Sequence, residues 1–232
     1  MSVKPWDRIG VAVFLLVAGM AVIAGGRLDA ARRPAMQGAA ATPQKAQEGQ
    51  EPATWQVDAV NSNITFTLTH FMVSKAHGRF AKFSANLNLD PSALTASKID
   101  VRIDAATIDT SNTARDDHLR TADFFDVQRF PEIVFTSTRI EKGGENRYRV
   151  TGNLTMHGVT REVVLDAEHR GWVKDPQARE RTAFIAKTTV NRQDFGIKWN
   201  QVMDSGGVAI GDQVDIEIDL LAVKRAPARP KD

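Results

Sequence analysis

Residues 64–70 read Ile64-Thr-Phe-Thr-Leu-Thr-His70. Ile64, Phe66 and Leu68 alternate with Thr65, Thr67 and Thr69. A period of two in β-favouring residues predicts a strand with an apolar face on one side and a threonine ladder on the other. The apolar face ends in a histidine, His70. The same alternation recurs along the chain. Trp55-Gln-Val57 precedes the stretch, and Phe80, Phe83, Ala85, Leu87 and Leu89 follow it. Phe80 and Phe83 have opposite parity, which predicts a bulge near Ala81-Lys82. Further strands are expected over Lys98–Asp104, Ile133–Thr138, Tyr148–Met156, Val163–Ala167 (with Trp172 as an extension), Phe184–Val190 and Val214–Ala222.

Turn chemistry separates these runs: Asp90-Pro91, Gly143-Gly144, His157-Gly158 and Asp175-Pro176. Pro131 opens a strand, where proline is tolerated. No βαβ alternation appears, which argues against a parallel sheet. The chain reads as all-β and antiparallel, with about eight to ten strands and one or two short helices. Thr113–Arg120 (TARDDHLR) has helical character, with Ser111 or Asn112 as its cap, and Ala122–Asp126 reads as a second helical turn. Asn191–Trp199 reads as a loop with a short helix or bulge. A sheet with one apolar face must close on itself or pack on another. The pattern leaves both open, a hollow barrel and a solid sandwich.

Charge narrows the function classes. The sequence pI is near 9.0, yet Thr54–Lys224 carries 21 Lys+Arg against 23 Asp+Glu. The basic excess lies in the flanks, so the domain lacks the positive face a nucleic-acid binder needs. There is no cysteine, which removes disulfides, thiolate catalysis and cysteine-held metals. Ile9–Gly26 has no charged residue and follows Lys4 and Arg8, the pattern of an export signal or an inner-membrane anchor. Residues 1–26 are therefore expected to be signal or anchor, 27–53 a flexible linker, 54–224 the folded domain and 225–232 a frayed tail.

Ordered blocks along the domain resemble the YceI-like family, the bacterial polyisoprenoid-binding proteins. They are Trp55-Gln-Val-Asp58, Ile64-Thr-Phe66, His70-Phe71, Val73-Ser74, Gly78-Arg-Phe80, Ile108-Asp-Thr110 and Arg115-Asp-Asp-His118-Leu119. After these come Phe124-Phe-Asp126, Phe130-Pro131, Phe135–Thr138, Gly152–Thr160, Asn191-Arg192, Asp194-Phe-Gly196, Val208 and Gly211-Asp212. The resemblance implies an extended, lipocalin-like antiparallel β-barrel with a long apolar pore, a periplasmic location, and an isoprenoid lipid such as a quinone or polyprenyl phosphate as ligand. The family often has His-Ser after the opening block, where this chain has Asn61-Ser62.

Strand parity selects Phe66, Leu68, Phe80, Phe83, Ile133, Phe135, Leu154, Met156, Phe184 and Trp199 as the interior face. Leu119 to Phe135 crowds charged groups against aromatics and is expected at the barrel mouth. His70, His118, Leu119, Phe124 and Phe125 are added there as ligand contacts, the histidines offering hydrogen bonds to a head group. Two other readings compete: a lipid-modifying enzyme using Asp116, Asp117 and His118, and a barrel filled by its own side chains. No nucleophile motif, phosphate-binding loop or HExxH is present, so no catalytic residue is named. No metal or other cofactor is expected: a metal site needs three or four converging ligands, and the best cluster, His118 with Asp116 and Asp117, consists of sequence neighbours, which rarely face one another. The sequence leaves a homodimer open.

Overall fold

A computed structural model of the chain describes residues 53–204 and 206–225. The expected leader or anchor, the linker up to residue 52 and the tail from 226 lie outside the described residues. The strands are β1 (Ala53–Val57), β2 (Asn63–His70), β3 (Ser74–Phe80), β4 (Phe83–Leu89), β5 (Lys98–Asp104), β6 (Ile108–Asp109), β7 (Glu132–Lys142), β8 (Arg147–Met156), β9 (Val159–Lys174), β10 (Glu180–Asn191) and β11 (Ile210–Lys224). One α-helix, α1 (Thr113–Arg120), is capped by the Asn112 side chain, which accepts from Arg115 N. Ala53, expected as the last linker residue, is the first residue of β1.

All strand pairings are antiparallel, and the ring β1-β4-β5-β7-β8-β9-β10-β11 closes through β1 and β11. The C-terminal part of β11 pairs with β1 and its N-terminal part with β2. β1 and β2 are thus one barrel stave, broken by a 3-10 turn at Ala59–Asn61. β4 and β3 form a second stave and β5 and β6 a third, by the same pairing logic. The barrel therefore has eight staves built from eleven strands, a closed form with no free edge along the ring.

The breaks are hydrogen-bonded. Ser62 Oγ donates to Asp58 O and accepts from Leu221 N, carrying the wall across the first break. Ala81 N donates to Thr107 O, and Asp104 N to Lys82 O, where the second and third breaks lie side by side. Two expectations are corrected here, and one strand is additional to those expected. The irregularity at Ala81-Lys82 is a strand break that gives β4 new partners, where a bulge would have kept β3's. Ser74–Arg79, which has no apolar alternation, is strand because β2 templates it. Ala122–Asp126 forms turns in place of helix: Phe125 N reaches Leu119 O, and Asp126 takes a left-handed φ of 45°.

The core has two parts. The larger holds Ile64, Phe80, Ile108, Phe124, Ile133, Phe135, Leu154 and Phe195 among others. The smaller, Trp55, Leu87, Leu89, Leu220 and Ala222, fills the end where the chain enters at Ala53. Trp172 packs against Trp55 there at a tilt of 47°, with ring centroids 5.1 Å apart.

Candidate ligand-binding cavity

The barrel is hollow. A cavity of about 550 Å³ runs inside it, within the range of pockets that enclose small ligands. Inward parity supplies its wall, which is almost wholly apolar.

Two glycines help keep the lumen open. The Phe66 ring lies across Gly78 on the neighbouring strand, where a Cβ would stand 2.7 Å from Phe66 Cε1. Phe135 covers Gly152 in the same way, with a virtual Cβ 2.6 Å from its Cε2. Each glycine lets a large ring lie along the wall instead of projecting across the lumen.

Of the fifteen residues selected from sequence, fourteen line this cavity: Phe66, Leu68, His70, Phe80, His118, Leu119, Phe124, Phe125, Ile133, Phe135, Leu154, Met156, Phe184 and Trp199. Phe83 is the exception. It sits opposite Ile103 on the inward face, but packs into the larger core cluster and is not part of the cavity wall. Sequence reasoning passed over Ile216, Ile218, Leu165, Ala167 and Ala186, which also line it. Their alternation on β9, β10 and β11 carried the signal. Arg192, Thr110 and Gln201 line it from outside regular strands, where periodicity gives no cue.

The mouth is the end where β2 meets β11, at the pair His70 and Ile210. α1 and the segment after it close over one side. The charged cluster divides among separate partners. Asp116 is buried and accepts from Thr110 N at 2.9 Å and from Thr110 Oγ1. Arg115 donates to Thr110 Oγ1 at 2.7 Å and to Thr110 O at 2.8 Å. Arg120 donates to Ala106 O, Ile108 O and the Asp117 carboxylate. His118 Nε2 lies 2.8 Å from Asp123 Oδ2. These bonds fasten α1 to the third broken stave. Asp116 is taken up by Thr110 and Asp117 by Arg120, while His118 pairs with Asp123.

The His118 ring stands edge-on to Phe124 and Trp199, with centroids 5.1 and 4.9 Å away. Arg192 secures the opposite side of the mouth. Its buried guanidinium donates to Ile197 O, Trp199 O, Gly211 O and the Asp212 carboxylate, so the 197–212 segment folds around it. The wall thus holds the side chains of His70, Arg115, His118 and Arg192, all towards the mouth, and no carboxylate; His77 turns outward to Thr67. Among the described residues no group of three or more His, Cys, Asp or Glu side chains could hold a metal ion. No described helix is long and apolar enough to cross a membrane.

A closed antiparallel barrel of eight staves with an apolar lumen defines a lipocalin-like class of protein. Within it, this chain belongs to the family of YceI-like domains, whose model matches residues 55–222. A UPF0312 protein of Pseudomonas putida (strain GB-1) is 39% identical over 162 residues, covering 70% of this chain and 81% of that protein. A UPF0312 protein of Staphylococcus epidermidis is 38% identical over 161 residues, covering 69% and 91%. Among solved structures, Burkholderia cenocepacia BcnA superposes with a TM-score of 0.63 at 25% identity, covering 71% of this chain and 98% of that one. The Campylobacter jejuni YCEI protein gives 0.59 at 30%, covering 68% and 90%. A polyisoprenoid binding domain from Saccharophagus degradans gives 0.56 at 15%, covering 75% and 99%, and shows the fold alone.

Proposed function

We propose that this chain binds an isoprenoid lipid, with the prenyl tail in the lumen and the head group at the mouth. It would do so as a periplasmic carrier or sequestering protein held at the inner membrane by Ile9–Gly26. One observation carries the reading: the barrel encloses a continuous apolar cavity whose basic side chains are gathered at one end and which no carboxylate lines. An apolar tail gains about 0.8 kcal/mol per buried CH₂, so a long chain needs few polar contacts. Arg115, His70 and His118 offer N–H donors to the acceptor oxygens of a phosphate or a quinone carbonyl. The Saccharophagus degradans domain that shares the fold is named for polyisoprenoid binding, which is in line with such a guest.

The test is lipid mass spectrometry on residues 53–225, purified without detergent from a native host and extracted with organic solvent. A stoichiometric prenyl lipid is the expected result, with affinity rising with chain length when lipids are added back. A domain that comes out empty, and takes up long and short prenyl chains equally poorly, ends the reading.

A further inference from the structure

Five of the eight exposed large hydrophobics among the described residues gather on the rim of the mouth, and the other three, Val60, Trp172 and Val173, lie away from it. The β2–β3 hairpin tip is Phe71-Met72-Val73, three large apolar residues where turns normally place Gly, Asn, Asp or Ser. Phe71 and Met72 are held at φ 50° and 61°, a region such residues seldom occupy. They are fixed there by the neighbouring loop: Phe71 N donates to Ala209 O, and the Met72 side chain lies over Gly207. That loop adds Val202 and Val208, which bridge one another. Met72 is 62% exposed, Val73 90% and Val202 78%. Phe71 is half-exposed and also lines the cavity, so the patch is continuous with the lumen.

The course of the chain bears on what can meet this rim. β11 runs from Ile210 at the mouth to Lys224 beside Trp55, so Ala53 enters at the opposite end of the barrel. The 15 residues of β11 span about 50 Å along the strand, and less along the axis of a barrel whose staves tilt. Residues 27–52 separate the apolar run Ile9–Gly26 from Ala53. At up to about 3.3–3.6 Å per residue they can reach roughly 90 Å. That exceeds the barrel's length, so a chain held at Ile9–Gly26 can turn its far end back to the same bilayer.

We infer that the Phe71–Val73 tip, with Val202 and Val208, docks the mouth onto the surface of a phospholipid bilayer, so that a lipid passes between membrane and lumen without crossing water. The inference rests on the carrier reading for its purpose, but its test does not depend on a ligand. The chain has no cysteine, so Val73→Cys and Glu145→Cys each give one labelling site. Glu145 lies in the turn after β7, at the opposite end. Full-length chain carrying an environment-sensitive fluorophore at either position is reconstituted into vesicles of phosphatidylethanolamine and phosphatidylglycerol. The expected result is blue-shifted emission from position 73 that is largely lost when doxyl-labelled lipids are included, with position 145 reporting water. Both positions in water, or position 145 in lipid, overturns the docking. If position 73 stays in water while the protein still yields a prenyl lipid on extraction, docking fails and the carrier reading stands. If position 73 is in lipid but no prenyl lipid is bound, the docking holds and the carrier reading falls.

Discussion

Adding one carbon at Gly78 discriminates between a hollow and a filled barrel. In Gly78→Ala the new Cβ lies 2.7 Å from Cε1 and 2.9 Å from Cε2 of Phe66. Phe66 Cζ is nearer still to the new Cβ; carbon contacts settle near about 3.5–4.0 Å, so the ring has to give way by roughly 1.5 Å. The nearest atoms to the new Cβ all belong to this one side chain, and its other face looks into the lumen. In a hollow barrel the ring swings inward, and folding stability falls by less than about 1 kcal/mol. The cost then falls on the guest. A ring displaced across the lumen excludes about two ligand methylenes at about 0.8 kcal/mol each, which weakens binding roughly fifteenfold. Urea unfolding of the free protein reads the first quantity, and displacement of a fluorescent prenyl analogue reads the second. Gly152→Ala provides contrast, because its Cβ also meets the backbone Thr136 O at 2.6 Å. It is expected to lose about 1–3 kcal/mol of stability. A Gly78→Ala protein that loses that much stability while binding the analogue as before would refute the reasoning.

Arg192→Met removes the donor shared by three carbonyls and Asp212. It should cost about 2–4 kcal/mol in urea unfolding and raise hydrogen exchange in 197–212. Asp116→Ala strands the Thr110 N–H and hydroxyl; a loss of about 1–3 kcal/mol is expected, with α1 exchanging faster. His169 is packed between Trp172 and Phe184, and burial holds its pKa below the ordinary 6.5. The unfolded chain takes up the proton first, so this contribution is complete above pH 6.5 and is lost as pH falls below it; His169→Phe should flatten the slope of melting temperature in that window. Asp175 is held far below the usual carboxylate range, chiefly by its hydrogen bond to Arg181. Its contribution is present above about pH 3.9 and is lost as pH falls below that, so Arg181→Gln should acid-denature at a higher pH.

The sequence announces most of the wall because β7 to β11 are uninterrupted and one face of each is apolar. It announces less of the first three staves, whose breaks at 81–82 and 105–107 fall where parity changes without a turn signal, and at 58–62 where turn residues give no cue that the stave resumes beyond them. β3 illustrates the limit. Ser-Lys-Ala-His-Gly-Arg has no period, and it is a strand because β2 supplies the hydrogen bonds. Phe83 shows the other limit: parity gives a face, not a depth, and a ring on the right face can still be absorbed into the core. The mouth residues Arg192, Thr110 and Gln201 sit in turns and loops whose course is set by hydrogen bonds between residues far apart in sequence. The resemblance to YceI-like proteins covered these blocks together, and the family match over 55–222 bears it out.

The seam of the ring has a bearing on how the chain acquires its shape. Every other stave pairs with a neighbour in sequence, but β11 joins β1 and β2, so the last strand seals against the first. Such long-range closure is slow compared with hairpin formation. Until Ile210–Lys224 arrives, β10 and the first stave each present an unpaired edge, and the greasy inner faces lie open to any sticky neighbour. The fifteen residues of β11 are thus the latch of the vessel. Chains truncated before them should aggregate as they are made, even with most of the hairpins formed.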